Sequence, residues 1–179
     1  MQTSAVETES APQRLSLEDL ANKSYSELAE LYNRGRVPAS LRPLDGPLTG
    51  RMLTVKGIAK GPLANRLRRF AGSKAFVWSG KSFSAESDKR GSGLNRINIP
   101  GVLGRQNLFP FETRFDASVV DGRETIVLDY DLRQNPPYIR RIHDEIREVS
   151  PGVYLGPAMW KTAKGPAMLL WFALDTGKR

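Results

Sequence analysis

Apolar and polar positions change period near Gly50, from about one turn of helix to the two-residue alternation of strands. Before that point, Ser16 opens the run Leu17-Glu18-Asp19-Leu20, and Ser24 opens a longer run from Tyr25 to Tyr32. Each serine has an acid three residues on, so hydroxyl and carboxylate can satisfy the free amides of a helix start. One amphipathic helix, in two pieces, is expected there. Beyond Gly50 the clearest alternation covers 111–120 and 123–130 around Asp121-Gly122. An Asp-Gly pair between alternating runs signals a two-residue hairpin turn, which sets Phe115 opposite Leu128 and Ala117 opposite Ile126 on an apolar face. Arg114 then faces Asp129, and Ser118 faces Thr125. Further strands are expected at 51–58, 75–83, 94–99, 153–160 and 166–174, the last two joined by a hairpin-length loop. A helix is expected at about 136–149, capped by Asn135, with proline in its first turn and Ile139, Ile142, Ile146 and Val149 as its buried stripe. On its wet side, Arg140 would pair with Asp144 and Arg141 with Glu145.

About seven strands, mostly antiparallel, with an N-terminal helix and the helix at 136–149 make a mainly β (α+β) chain. An up-and-down barrel removes the exposed edges of such a sheet and leaves room for a ligand. Residues 1–14 are polar and acidic and read as a disordered tail, leaving 15–179 as a single domain. That tail lacks the basic start and apolar stretch of a secretory signal. No apolar run approaches the roughly 20 residues of a membrane-spanning helix. A soluble, cytoplasmic protein is therefore expected.

Composition narrows the chemistry. With no cysteine and one histidine in 179 residues, thiol catalysis, thiolate metal sites and multi-histidine metal centres are excluded. No metal or cofactor is expected. The net charge of +8 is concentrated in residues 51–105, which hold twelve Lys/Arg against two Asp/Glu. Within this stretch Leu63, Leu67 and Phe70 fall at helical spacing with Arg66, Arg68 and Arg69 around them, a short basic helix suited to acidic lipid or an acidic protein. Nucleic acid is disfavoured, because no aromatics interleave with the basic residues and no helix-turn-helix or zinc pattern is present. Ser79-Gly80-Lys81-Ser82 has the ending of a phosphate-binding loop, but Ala75 and the strand-like Phe76-Val77-Trp78 replace the flexible glycine-rich part.

Aromatic residues spread over strands that a barrel would bring together suit a small-molecule pocket. Trp78, Tyr130, Tyr154 and Trp160 are the expected walls, and Lys81, Arg96 and Arg105 the expected anchors for a carboxylate or phosphate. Asn95, Asn98, Asn107 and Arg114 are further polar residues in otherwise apolar strands, where a buried polar atom needs a partner. Were the pocket catalytic, Tyr154, Asp129, Lys81 and His143 would be the first acid or base candidates.

In order, Gly46-Pro-Leu-Thr-Gly50, Trp78-Ser-Gly-Lys-Ser-Phe83, Asp129-Tyr-Asp131, Pro136, Pro137 and Ile139, then Leu155-Gly156 and Met159, resemble the features of the bacterial GXWXG-motif proteins. The resemblance spans about residues 46–174, with Leu48 standing where that family has its signature tryptophan. It implies a relative of the calycins, the lipocalin and fatty-acid-binding barrels, and implies no established activity. Together these readings lead to an expected binder of an apolar or amphipathic small molecule, such as a fatty acyl chain, a polyketide-like metabolite or a porphyrin. The alternatives are a cyclase, isomerase or dehydratase using the same pocket, or a basic surface docking to acidic lipid or protein.

Overall fold

Both serine signals form helix starts as expected. In the computed structural model, which describes residues 14–55, 77–98 and 104–178, α1 spans Leu17–Ala21 and α2 spans Tyr25–Arg34. Ser16 with Asp19 and Ser24 with Glu27 each close a capping box. Eight antiparallel strands follow: β1 (Gly46–Val55), β2 (Val77–Ala85), β3 (Arg90–Asn98), β4 (Arg105–Ala117), β5 (Glu124–Asp129), β6 (Ile142–Ser150), β7 (Val153–Thr162) and β8 (Gly165–Asp175). Each pairs with the next, and β8 pairs back onto β1, so the sheet closes with no free edge. The basic segment with Arg66, Arg68 and Arg69 lies outside the described residues, as does the tail 1–13.

Alternation along each strand divides the apolar residues into two cores. One fills the barrel and includes Leu48, Phe83, Phe111, Ile126, Ile146 and Tyr154. The other lies on the outer wall, where Leu20, Leu28 and Tyr32 of the helices cover Val153, Leu155, Trp171 and Ala173. That cover explains why β8 is apolar on both faces. The chain between α2 and β1 closes the lower end of the barrel: Leu41 and Leu44 join the interior core, and the Leu41 amide donates to the Asp88 carbonyl at 2.8 Å. At the upper end, β1 finishes and β2 begins, β5 finishes and β6 begins, and β7 turns into β8. None of the described helices is long and apolar enough to cross a membrane.

Two expectations fail here. Residues 136–149 are not a helix: a single 3-10 turn at Ile139–Arg141 gives way to β6. Apolar spacings of three and four residues suit a helix. The strand wins because β6 supplies pairing to both β5 and β7, and its polar residues are buried instead of wet. The expected ion pairs are absent, and Arg140 pairs with Asp131 at 2.7 Å instead. The second correction is the β4–β5 register. Phe115 lies opposite Ile126, and Ala117 opposite Glu124, because the turn widens to the four residues between Ser118 and Arg123. Gly122 takes φ 73° there, while its amide donates to the Ser118 carbonyl at 2.8 Å. A slip of two residues preserves facing, so Phe115, Ile126 and Leu128 keep their apolar side and Arg114 still reaches Asp129, diagonally, at 3.4 Å.

Candidate functional site: a buried polar cluster beneath an apolar cavity

An irregularity in β2 builds the site. Trp78 pairs with Ile97 and Gly80 with Arg96, so β2 carries one extra residue against β3. Such a bulge reverses the facing of whatever follows it. Trp78 and Lys81, three residues apart, therefore both turn into the barrel, where they share a hydrogen-bond partner, Asn95. Gly80 sits at φ 130°, and a Cβ on it would meet the Leu48 carbonyl oxygen at 2.0 Å, so glycine alone fits this close crossing of β1 and β2. The Ser-Gly-Lys-Ser run is strand, as its apolar approach implies, and not a phosphate loop.

Lys81 is 3% exposed, and its ammonium lies 5.1–5.5 Å from the ring centres of Trp78, Phe111, Tyr130 and Phe172. Its three N–H groups go to three acceptors: Asn95 Oδ1 at 2.9 Å, Asp144 Oδ2 at 3.0 Å and the Tyr130 hydroxyl. Tyr130 in turn donates to Asp144 Oδ2 at 3.1 Å and accepts from Asn95 Nδ2 at 3.2 Å. Asn95 spends its second N–H on the Phe109 carbonyl at 3.1 Å, and its oxygen also accepts from Trp78 Nε1 at 3.0 Å. Burial pushes the Lys81 pKa down against the pull of Asp144, while burial and the same carboxylate push Tyr130 well up. One valence of the cluster is left: Asp144 Oδ1 is buried and accepts no hydrogen bond from the described residues.

Above the cluster, at the upper end of the barrel, lies a cavity of ≈ 120 Å³. Lys81, Asn95, Tyr130 and Asp144 form its polar floor; its walls are apolar, among them Met52, Trp78, Ile142, Ala158, Leu170 and Phe172. Phe109, also on the wall, holds φ 55°, a conformation that costs a bulky residue strain.

Of the expected site residues, the structure brings together Trp78, Lys81 and Tyr130, with Asn95 from the further polar candidates. Lys81 does not offer its charge to an anion: all three N–H groups are engaged within the cluster, and Asp144 stands beside it. Tyr154 points into the barrel but at its closed lower end, near the start of β7, and does not line the cavity; burial pushes its pKa up. Trp160 lies near the end of β7, outside the lining, with the Arg141 guanidinium 6.0 Å from its ring centre. Arg96 follows the opposite facing from Asn95, and its guanidinium donates to the Leu48 carbonyl at 3.0 Å, while Arg105 is exposed at the start of β4. Asp129 lies outside the barrel between Lys161 at 3.0 Å and Arg114; burial alone would raise its pKa, but the Asp131 amide and Lys161 bring it below the usual range. His143 faces outward to Glu145 at 3.0 Å.

Sequence reading missed Asp144, which completes the cluster. On a helix, Asp144 lies on the wet face opposite the isoleucines; on a strand it shares a face with Ile142 and Ile146. The available signal was the run of β-branched residues at 139, 142, 146 and 149.

Comparison with protein-family models and with curated proteins finds no match. Among solved structures, the chain is similar to a crystal structure of a protein from Thermomonospora curvata, at 22% identity over 88% of this chain and 89% of that one, with a TM-score of 0.48.

Proposed function

We propose that the protein binds a small, predominantly apolar molecule in the upper half of its barrel. The observation that carries this reading is the cavity itself: an apolar, aromatic-walled space inside a closed barrel, floored by a rigid polar cluster. Small-molecule sites have this composition, with mostly apolar walls and a few fixed polar groups. Size refines the range of ligands. A cavity of roughly 150 Å³ accepts benzene, so ≈ 120 Å³ suits a single ring or a short branched chain better than a porphyrin or a long acyl tail.

Two measurements test the reading. Native mass spectrometry of the freshly purified full chain, with an organic extract of the same sample, is expected to show a small adduct. A titration series of single-ring compounds, followed by tryptophan fluorescence and calorimetry, is expected to saturate. Ala158→Phe places a ring in the cavity from the β7 wall and should abolish binding while the protein stays folded. Equal binding by the folded Ala158→Phe protein and its parent would place the ligand elsewhere and overturn the reading.

A further inference from the structure

We infer that the ligand is a neutral hydrogen-bond donor, an alcohol, phenol or amide-type N–H, received by Asp144 Oδ1. This rests on the cavity being the binding site and specifies what the cavity selects. Every donor and acceptor on the floor other than this oxygen has a partner in the protein: the three N–H groups of Lys81, both ends of the Asn95 amide, the Tyr130 hydroxyl and the Trp78 N–H. Asp144 is 3% exposed and lines the cavity, and its Oδ1 accepts nothing from the described residues. A buried carboxylate oxygen without a donor carries its full desolvation cost. A ligand that brings a donor to that point removes the cost; an apolar ligand of the same shape leaves it in place.

Charge then sets the ligand's own charge. Lys81 and Asp144 are 3.0 Å apart and cancel, so the floor presents no net charge to the cavity. An anion would meet the free oxygen of Asp144 among apolar walls that screen charge poorly and be repelled. A cation would gain the same oxygen but share a small apolar cavity with the Lys81 ammonium, and would have to shed its own water. A neutral donor meets neither penalty.

Phenol, toluene, benzoate and benzylammonium, each of one ring, separate the possibilities when titrated into the full-length protein. Phenol is expected to bind about tenfold or more tightly than toluene, although toluene is the more apolar, because a hydrogen bond to a charged group outweighs that difference. Benzoate and benzylammonium are expected to bind more weakly than phenol. Toluene binding as well as phenol would overturn the donor inference while leaving the cavity reading intact; so would tighter binding of either ion. No binding by any of the four, or by indole and benzene, would overturn the cavity reading and this inference with it. The double variant Lys81→Met/Asp144→Leu removes both charges together and leaves no buried ion alone. In it the preference should reverse in favour of toluene, and a retained preference for phenol would show that another atom receives the donor.

Discussion

Asp144 and Glu145 are neighbours on β6, both buried and both hydrogen-bonded, yet they belong to opposite sides of the barrel wall. Glu145 points outward under α2 and is saturated. Its Oε2 accepts from the Tyr32 hydroxyl at 2.6 Å and from the Ser118 hydroxyl at 2.5 Å, and its Oε1 accepts from the Val119 amide at 2.8 Å and faces His143. Arg147, two residues on and fully buried, makes two bonds of 2.7 Å to Asp121 and donates to three backbone carbonyls, with its guanidinium 4.4 Å from the Tyr32 ring centre. This outer cluster joins the helix, the β4–β5 turn and the barrel wall and has no open valence. The inner cluster likewise joins a cation, a carboxylate and a tyrosine hydroxyl, but keeps one oxygen without a donor among the described residues, beside a cavity. A buried ion pair whose partners are all protein reads as a clasp, whereas one with an open valence toward empty space reads as a receptor.

The comparison breaks most forcefully through the outer cluster. Arg147→Met removes both guanidinium bonds to Asp121 and one donor from each of three carbonyls, and is expected to lower unfolding stability by about 3–5 kcal/mol in a denaturant titration. Ligand affinity of the protein that remains folded should stay unchanged. In the inner cluster, Asp144→Leu alone strands the Lys81 ammonium and should cost a similar amount, whereas Lys81→Met/Asp144→Leu should recover most of it, to within about 1–2 kcal/mol of the parent. A double-mutant cycle by calorimetry decides this. Should the double variant be no more stable than Asp144→Leu, the pair would not be the coupled unit described above. Ser24→Ala, which removes the α2 cap on the exposed surface, should cost about 1 kcal/mol and leave both clusters intact.

Acid sharpens the contrast further. Hydrogen bonding from Arg147 holds the Asp121 carboxyl down at about 2, below its ordinary value of 3.8. A depressed carboxylate contributes stability that is full above the ordinary value and is lost as pH falls through the folded one. Stability is therefore expected to decline between about pH 4 and pH 2, and Arg147→Met should flatten the Asp121 share of that decline. Glu145 acts in the same direction: burial would raise its pKa, but His143, Ser118 and Tyr32 together bring it below the usual value. Unfolding midpoints measured across this range for parent and variant test the assignment.

Much of the architecture was legible. The two capping boxes, the hairpin at Asp121-Gly122 and the paired strands 153–160 and 166–174 each follow from local chemistry, and the antiparallel barrel follows from counting them. Four wall and floor residues, Trp78, Lys81, Asn95 and Tyr130, were also within reach, since polar and aromatic side chains on apolar strands are informative wherever the strands lead. What was not legible came down to β6 and β2. The spacing of Ile139, Ile142, Ile146 and Val149 satisfies a helical stripe, and nothing local reveals that β5 and β7 each lack a neighbour that only this segment can supply. The bulge at Gly80 similarly depends on the passage of β1 against β2, not on the residues around it.

The sequence by itself determined the helix starts, the alternating runs, the closing hairpins and the absence of thiol and multi-histidine chemistry, because these depend on residues within a few positions of one another or on composition alone. Tertiary structure decided which charges are buried and whether they are satisfied. Lys81, Tyr130 and Asp144 lie 49 and 14 positions apart and meet only because the sheet closes on itself. Asp144 faces the cavity and Glu145 the helix because successive side chains on a strand point to opposite faces. Which face is dry, and which oxygen lacks a donor, is set by everything packed against them.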